Sequence, residues 1–177
     1  MSHRRSLKKQ KRPLNINVLM SEYPRYLTDA SLAKLAKWLR LLGYDTIVFP
    51  REAGRDLLRL ADAEKRIVLT KRHDMLERQF SGELYFVAGK DIGSQLKEII
   101  AKFSLRIEKQ KIFRICLTCN EKLFSVTKED MWNLVPPYVF ANCSEYNKCP
   151  HCRSIYWAGT HQRNALQFLE KLSINPQ

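Results

Sequence analysis

The chain has 177 residues, 45% of them hydrophobic, and a net charge of +13. That length holds one ordinary domain, or a domain of about a hundred residues beside a small metal-stapled one, and the apolar content suffices for a packed core. No apolar run approaches the roughly 20 residues that span a bilayer, and no secretory apolar segment stands near the start, so a membrane protein is not expected and a cytoplasmic setting is.

In chain order, the first feature is a run of cations. Arg4, Arg5, Lys8, Lys9, Lys11 and Arg12 crowd into residues 1–12 with no acid among them. Residues 1–24 are therefore read as a flexible basic arm, serving either solubility or phosphate binding. These six cations leave more than half of the excess charge to the rest of the chain. The expected partner is a polyanion, RNA before a membrane surface.

Arg25 to Thr28 reads as a short strand ending at Asp29. Ala30 to Leu42 is predicted helical, because Leu32, Leu35, Ala36, Leu39 and Leu42 recur at helical spacing. Lys34, Lys37 and Arg40 share another face, which is either an RNA-backbone contact or an ordinary solvated surface. Gly43 is the expected C-terminal cap. Asp45 to Phe49 reads as a second strand, and Asp56 opens a second helix through Leu57, Leu58, Leu60 and Ala61. Arg66 to Thr70 is a buried-type strand, followed by a short helix around Met75, Leu76 and Phe80. A strand over Glu83 to Val87 and a helix through Leu96, Ile99, Ile100 and Phe103 complete the series. This alternation predicts an α/β domain over residues 25–110 with a mostly parallel sheet.

In such sheets ligands bind beyond the carboxyl ends of the strands. Asp29, Asp56, Asp74 and Asp91 each follow a strand end. If they converge, a hard cation such as Mg²⁺ or Mn²⁺ must neutralise them, and it would activate water against a phosphodiester. The alternative for Asp29 and Asp56 is helix capping. Trp38, Trp132 and Trp157 are read as packing residues rather than base-stacking platforms.

Beyond a boundary at Leu105 to Arg114 come Cys116-Leu117-Thr118-Cys119 and Cys149-Pro150-His151-Cys152, separated by residues 120–148. Each turn presents two thiolates, half of a tetrahedral site, so the two together predict a closed and therefore structural Zn²⁺ site. A redox pair would explain one such turn but not two. Committing these thiols to zinc fits a reducing compartment. Cys143 is the leftover cysteine, read as a small apolar side chain, and His151, between two ligands, is expected to point outward. The zinc module spans residues 111–165, with a partly helical tail at 166–177.

The segment from Leu27 to Thr46, above all Trp38-Leu39-Arg40-Leu41-Leu42-Gly43-Tyr44-Asp45, resembles the opening of the Mut-7 C-terminal RNase domain family. Further matches are Arg66 to Thr70, both cysteine turns, Val135-Pro136-Pro137-Tyr138-Val139 between them and Ile155 to His161 after them. The resemblance implies a PIN-like three-layer fold followed by a zinc ribbon, and metal-dependent ribonuclease activity. It matches Asp29 to the family's first-strand acid and Asp56 to the acid opening the next helix; in a ribonuclease so built, the Thr70 hydroxyl would support the loop. After the third strand the family pattern is Leu-Thr-Arg-Asp, whereas this chain has Leu69-Thr70-Lys71-Arg72, so Arg72 stands where an aspartate is expected. A guanidinium has no lone pair for a metal and carries the wrong charge. Asp74 matches a second acid of related PIN-like sequences and either supplies the missing ligand or leaves Arg72 as a phosphate clamp.

Two functions follow. One is a Mg²⁺- or Mn²⁺-dependent ribonuclease using Asp29, Asp56 and Asp74. The other is a catalytically impaired adaptor that grips RNA or a ribonucleoprotein through Lys34, Lys37, Arg40 and Arg72. A protein-docking module fits the aromatic insert around Trp132 but has no positive signature.

Overall fold

The computed structural model describes residues 23–177, so the cation run at residues 1–12 lies outside the described residues. Four short strands form a parallel sheet in the order β2-β1-β3-β4. They are β1 (Tyr26–Thr28), β2 (Thr46–Val48), β3 (Ile67–Thr70) and β4 (Leu84–Phe86). Tyr26 pairs with both Thr46 and Ile67, and Val68 with Leu84. Helix α1 (Ala33–Leu41) connects β1 to β2, α2 (Arg55–Ala63) connects β2 to β3, and α3 (Ile92–Lys102) follows β4.

Side chains alternate along each strand, so the sheet buries both faces. Tyr26 and Leu69 point into one cluster with Leu35, Leu39, Leu96 and Ile99, on the side of α1 and α3. Leu27 and Val68 point into the other, with Leu57, Leu58 and Ala61 of α2. This is the three-layer α/β arrangement expected from the sequence. The first helix differs in one detail: it opens as a 3-10 turn at Ala30–Leu32 before α1 begins. The short helix expected through Phe80 contracts to one 3-10 turn, His73–Met75, because Met75 is buried there while Leu76 is half-exposed and no apolar stripe continues.

The cysteine-bearing module contains an antiparallel sheet of β5 (Phe124–Val126), β6 (Tyr146–Lys148) and β7 (Ile155–Trp157), with the short α4 (Pro137–Asn142) before β6. Met131, Val135 and Tyr146 form its small core. The chain then returns to the first module: α5 (Thr160–Lys171) places Leu169 in the α1–α3 cluster and sets the Phe168 ring, tilted by 40°, against Trp38 at 4.8 Å between centroids. The segment at residues 105–114 also packs there, through Leu105, Ile107 and Ile112. Gly43 ends α1 at φ +91°, and a Cβ on it would come within 2.8 Å of Lys111, so both the turn and the close approach require glycine. No helix among the described residues is long and apolar enough to cross a membrane.

Arg40 requires a correction to the expected cationic face. It is 5% exposed and therefore unavailable to RNA. Its Nε donates to the Thr46 carbonyl at 2.6 Å, and its Nη1 donates to the carbonyls of Leu117 and Thr118 at 2.8 and 2.9 Å. One guanidinium thus ties α1 to the start of β2 and to the first cysteine turn. Lys34 and Lys37 remain exposed on α1.

Beside it, Asn120 accepts from the Thr46 amide at 2.8 Å and donates to Asp45 at 2.6 Å. Asp45 also receives Arg66 at 2.6 and 3.2 Å and Arg25 at 3.0 Å. Burial pushes the Asp45 carboxyl up, but the hydrogen bonds from Arg66 and Asn120 and the Arg66 charge outweigh this and hold it below the usual carboxylate range.

Removing Arg40 strands three carbonyl acceptors. Arg40→Leu is expected to lower the unfolding free energy by about 3 kcal/mol, whereas exposed Lys37→Leu changes it by about 0.5 kcal/mol or less. Urea denaturation compares them, and equal small losses would contradict the clamp.

Candidate functional site

The strand order reverses between β1 and β3, the position where open α/β sheets bind ligands. Asp29 lies at this point, 3% exposed. One carboxylate oxygen accepts from the Ser31 amide at 2.9 Å and from the Ser31 hydroxyl, and so caps the 3-10 turn. The other accepts from the Thr70 hydroxyl at 2.5 Å, and Thr70 Oγ1 in turn accepts from the Arg72 amide at 3.0 Å. The β1 and β3 tips are thereby latched together. Thr28 Oγ1, one residue before Asp29, is buried with no hydrogen-bond partner among the described residues.

The other acids have separate partners. Asp56 sits in the first turn of α2, where Gly54 is the N-cap, and pairs with Arg59 at 3.3 Å on the surface. Asp91 caps α3, accepting from the Gly93 and Ser94 amides at 2.9 and 3.1 Å. Asp74 receives Arg72 through Nε at 2.9 Å and Nη2 at 3.1 Å, and Arg78 at 3.2 Å. Arg72 also reaches Glu52 at 3.4 Å.

Asp29, Asp56, Asp74 and Asp91, expected to converge, thus each have separate hydrogen-bond or ion-pair partners. Among the described residues they do not form a metal-holding group, and the four cysteines do. Both Asp74 oxygens accept guanidinium protons in this arrangement, and Mg²⁺ or Mn²⁺ would need oxygen ligands gathered around one centre. Arg72 and Arg78 hold the Asp74 carboxyl well down, at about 2, mainly through the hydrogen bonds from Arg72.

Cys116, Cys119, Cys149 and Cys152 bring their sulfurs within 4.8 Å of one another, and none is disulfide-bonded. Cys116–Cys119, Cys119–Cys149 and Cys116–Cys152 are separated by 3.4, 3.3 and 3.5 Å. At a Zn–S distance of about 2.3 Å a tetrahedron has edges of about 3.8 Å, so the group needs only a slight opening to hold zinc. The two turns repeat one geometry. The Cys116 amide donates to the Glu121 carbonyl and the Asn120 amide to the Cys116 carbonyl; Cys149, Ser154 and Arg153 repeat this pattern. Asn120 and Arg153 follow the second cysteine of each turn at φ +67° and +61°. Cys143 and His151 lie outside the group. Tyr156 braces it, its hydroxyl accepting from the Leu117 amide at 3.1 Å and lying 3.2 Å from Cys116 Sγ.

A family model described as Mut7-C RNAse domain matches residues 24–169, from the start of the sheet into α5. The chain belongs to this family. Its function class is accordingly nuclease-like and concerned with RNA. No curated protein and no solved structure matches the chain.

Within this Mut7-C fold, the residues that sequence reading missed are the joints between modules. Asn120 was signalled by its place directly after a Cys-x2-Cys turn, where a left-handed residue is needed. Arg40 was signalled by a charge set among Leu39, Leu41 and Leu42. Trp132, expected to pack, is 64% exposed and lies edge-on to Phe140.

Two outcomes test this geometry. The Asp74 carboxyl, followed by NMR, titrates near 2, and Arg72→Ala moves it toward 3.8. Because the folded value is the lower one, the pairing stabilises the native state above the unfolded value and is lost as pH falls toward 2. An unmoved titration would rule out the pair in solution. Cys149→Ser is expected to lose zinc in native mass spectrometry and to unfold the β5–β7 sheet; full zinc retention would refute a four-cysteine site.

Proposed function

We propose that this Mut7-C protein is an intracellular RNA-binding protein that grips the phosphate backbone at the sheet edge with Arg72, where metal-site aspartate chemistry is expected. The observation that supports it is the Arg72–Asp74 fork with Arg78 on the same carboxylate. A phosphodiester offers paired oxygens that match a guanidinium as a carboxylate does. Arg78 keeps Asp74 neutralised when Arg72 turns to the phosphate, and exchanging partners in an exposed ion pair costs little. Lys34 and Lys37, exposed on α1, extend the cationic surface. The four-cysteine group, loaded with structural zinc, holds the second module in place, and a ribonucleoprotein is a compatible partner.

The second reading is a Mg²⁺- or Mn²⁺-dependent ribonuclease built on Asp29, Asp56 and Asp74. The buried Asp29 at the switch between β1 and β3 favours it. When bound, such a metal would supply activated water. In the present arrangement Asp29 positions Thr70 and Ser31, and Asp74 binds two arginines.

RNA binding and cleavage by the zinc-loaded protein, with Mn²⁺ or Mg²⁺ added or chelated, separate the two. The expected result is binding without metal-dependent cleavage, with Arg72→Ala weakening affinity several-fold and reducing the salt slope by about 0.7, one phosphate contact. Metal-dependent cleavage that disappears in Asp29→Ala would establish the ribonuclease instead.

A further inference from the structure

Away from the sheet-edge acids, a cleft of about 740 Å³ opens between the end of α1, the cysteine module and the start of α5. Its volume lies within the range of sites that enclose small organic groups. Trp38, Tyr138 and Trp157 contribute aromatic surface, and Lys37, His161 and Arg163 contribute polar and cationic groups. No Asp or Glu lines it among the described residues. Among the described residues, the lysine and arginine make no ion pair there, in contrast to Arg72 and Arg78, whose charges are matched by carboxylates. A cavity walled by aromatic rings and edged by unmatched cations is complementary to a flat, apolar ring joined to an anion.

We propose that this cleft seats an unstacked base of single-stranded RNA, with the adjoining phosphates on Lys37 and Arg163. The proposal rests on the RNA-binding reading above and adds which part of the polymer is recognised. Base–aromatic stacking tolerates any sequence, because every base has a π-face. Duplex RNA keeps its bases stacked and cannot offer one.

Three features build the site. Tyr138 stands at the mouth, 77% exposed, so its ring is free to cover a base. The α5 N-terminus has no side-chain cap at Gly159, so its first turn faces the cleft with its partial positive charge unmatched by a side chain. The Trp157 ring lies against Gly159, where a Cβ would come within 2.8 Å of the indole nitrogen, so glycine there lets the ring occupy the wall. Lys34, one turn from Lys37 toward Asp29 on α1, continues a cationic path from the cleft to the sheet edge.

Fluorescence anisotropy with a labelled oligouridylate and with a blunt RNA duplex tests this on the full zinc-loaded chain. Tyr138→Ala is expected to weaken single-strand binding about tenfold and leave duplex binding unchanged. Lys37→Ala with Arg163→Ala is expected to reduce the single-strand salt slope by about 1.4, two phosphate contacts. All three side chains are exposed, so unchanged zinc content and thermal unfolding accompany these losses. If RNA binds but both variants match the unmodified protein, the cleft serves another partner and this proposal falls while the RNA-binding reading stands. If the unmodified protein binds neither RNA, that reading falls and takes the cleft with it.

Discussion

The junction between the two modules depends on a buried guanidinium. Arg40 sits at the end of a leucine-rich helix, where a charge is costly unless every donor it points inward finds an acceptor. It finds them on β2 and on the first cysteine turn. Asn120 and Asp45 then fix the same strand end to the same turn from the other side. The cysteine-bearing module is therefore positioned by hydrogen bonds of defined direction, which set an orientation that apolar contact alone would leave loose.

That positioning has a functional meaning. The aromatic cleft is bounded by α1 on one side and by β7 and the start of α5 on the other. Its two walls belong to different stretches of chain, and Tyr156, bonded to the Leu117 amide, links one wall to the cysteine group. The strand-end acids Asp29, Asp56 and Asp74 lie elsewhere, latched or paired with arginine. The molecule thus has two chemically distinct surfaces, one of compensated charge and one of aromatic rings beside uncompensated cations.

The alternation of strands and helices was legible because each element carries its own period: buried runs in β1 and β3, a leucine stripe in α1. The cysteine group was legible because ligand spacing within a turn is a local property. What could not be read was the fate of individual charges. Lys34, Lys37 and Arg40 recur every three residues and look equivalent in sequence, yet the last is rotated far enough toward the core to meet carbonyls contributed from residues 117–118. Asp29, Asp56, Asp74 and Asp91 look equivalent as strand-end acids, but each meets a different neighbour: a threonine hydroxyl, an arginine one turn on, a pair of guanidiniums, and the amides of its own helix. Such outcomes depend on contacts distant in sequence or on turn geometry, which periodicity does not encode.

The return of α5 to the first module gives the chain a nested path. The cysteine-bearing stretch leaves the α/β body near residue 114 and rejoins it at Thr160, so both of its ends are anchored to the same body. If α5 were peeled away, Arg40, Asp45 and Thr46 would still hold the first cysteine turn to the α/β body. Opening either attachment alone therefore leaves the cysteine-bearing stretch fixed at its other end.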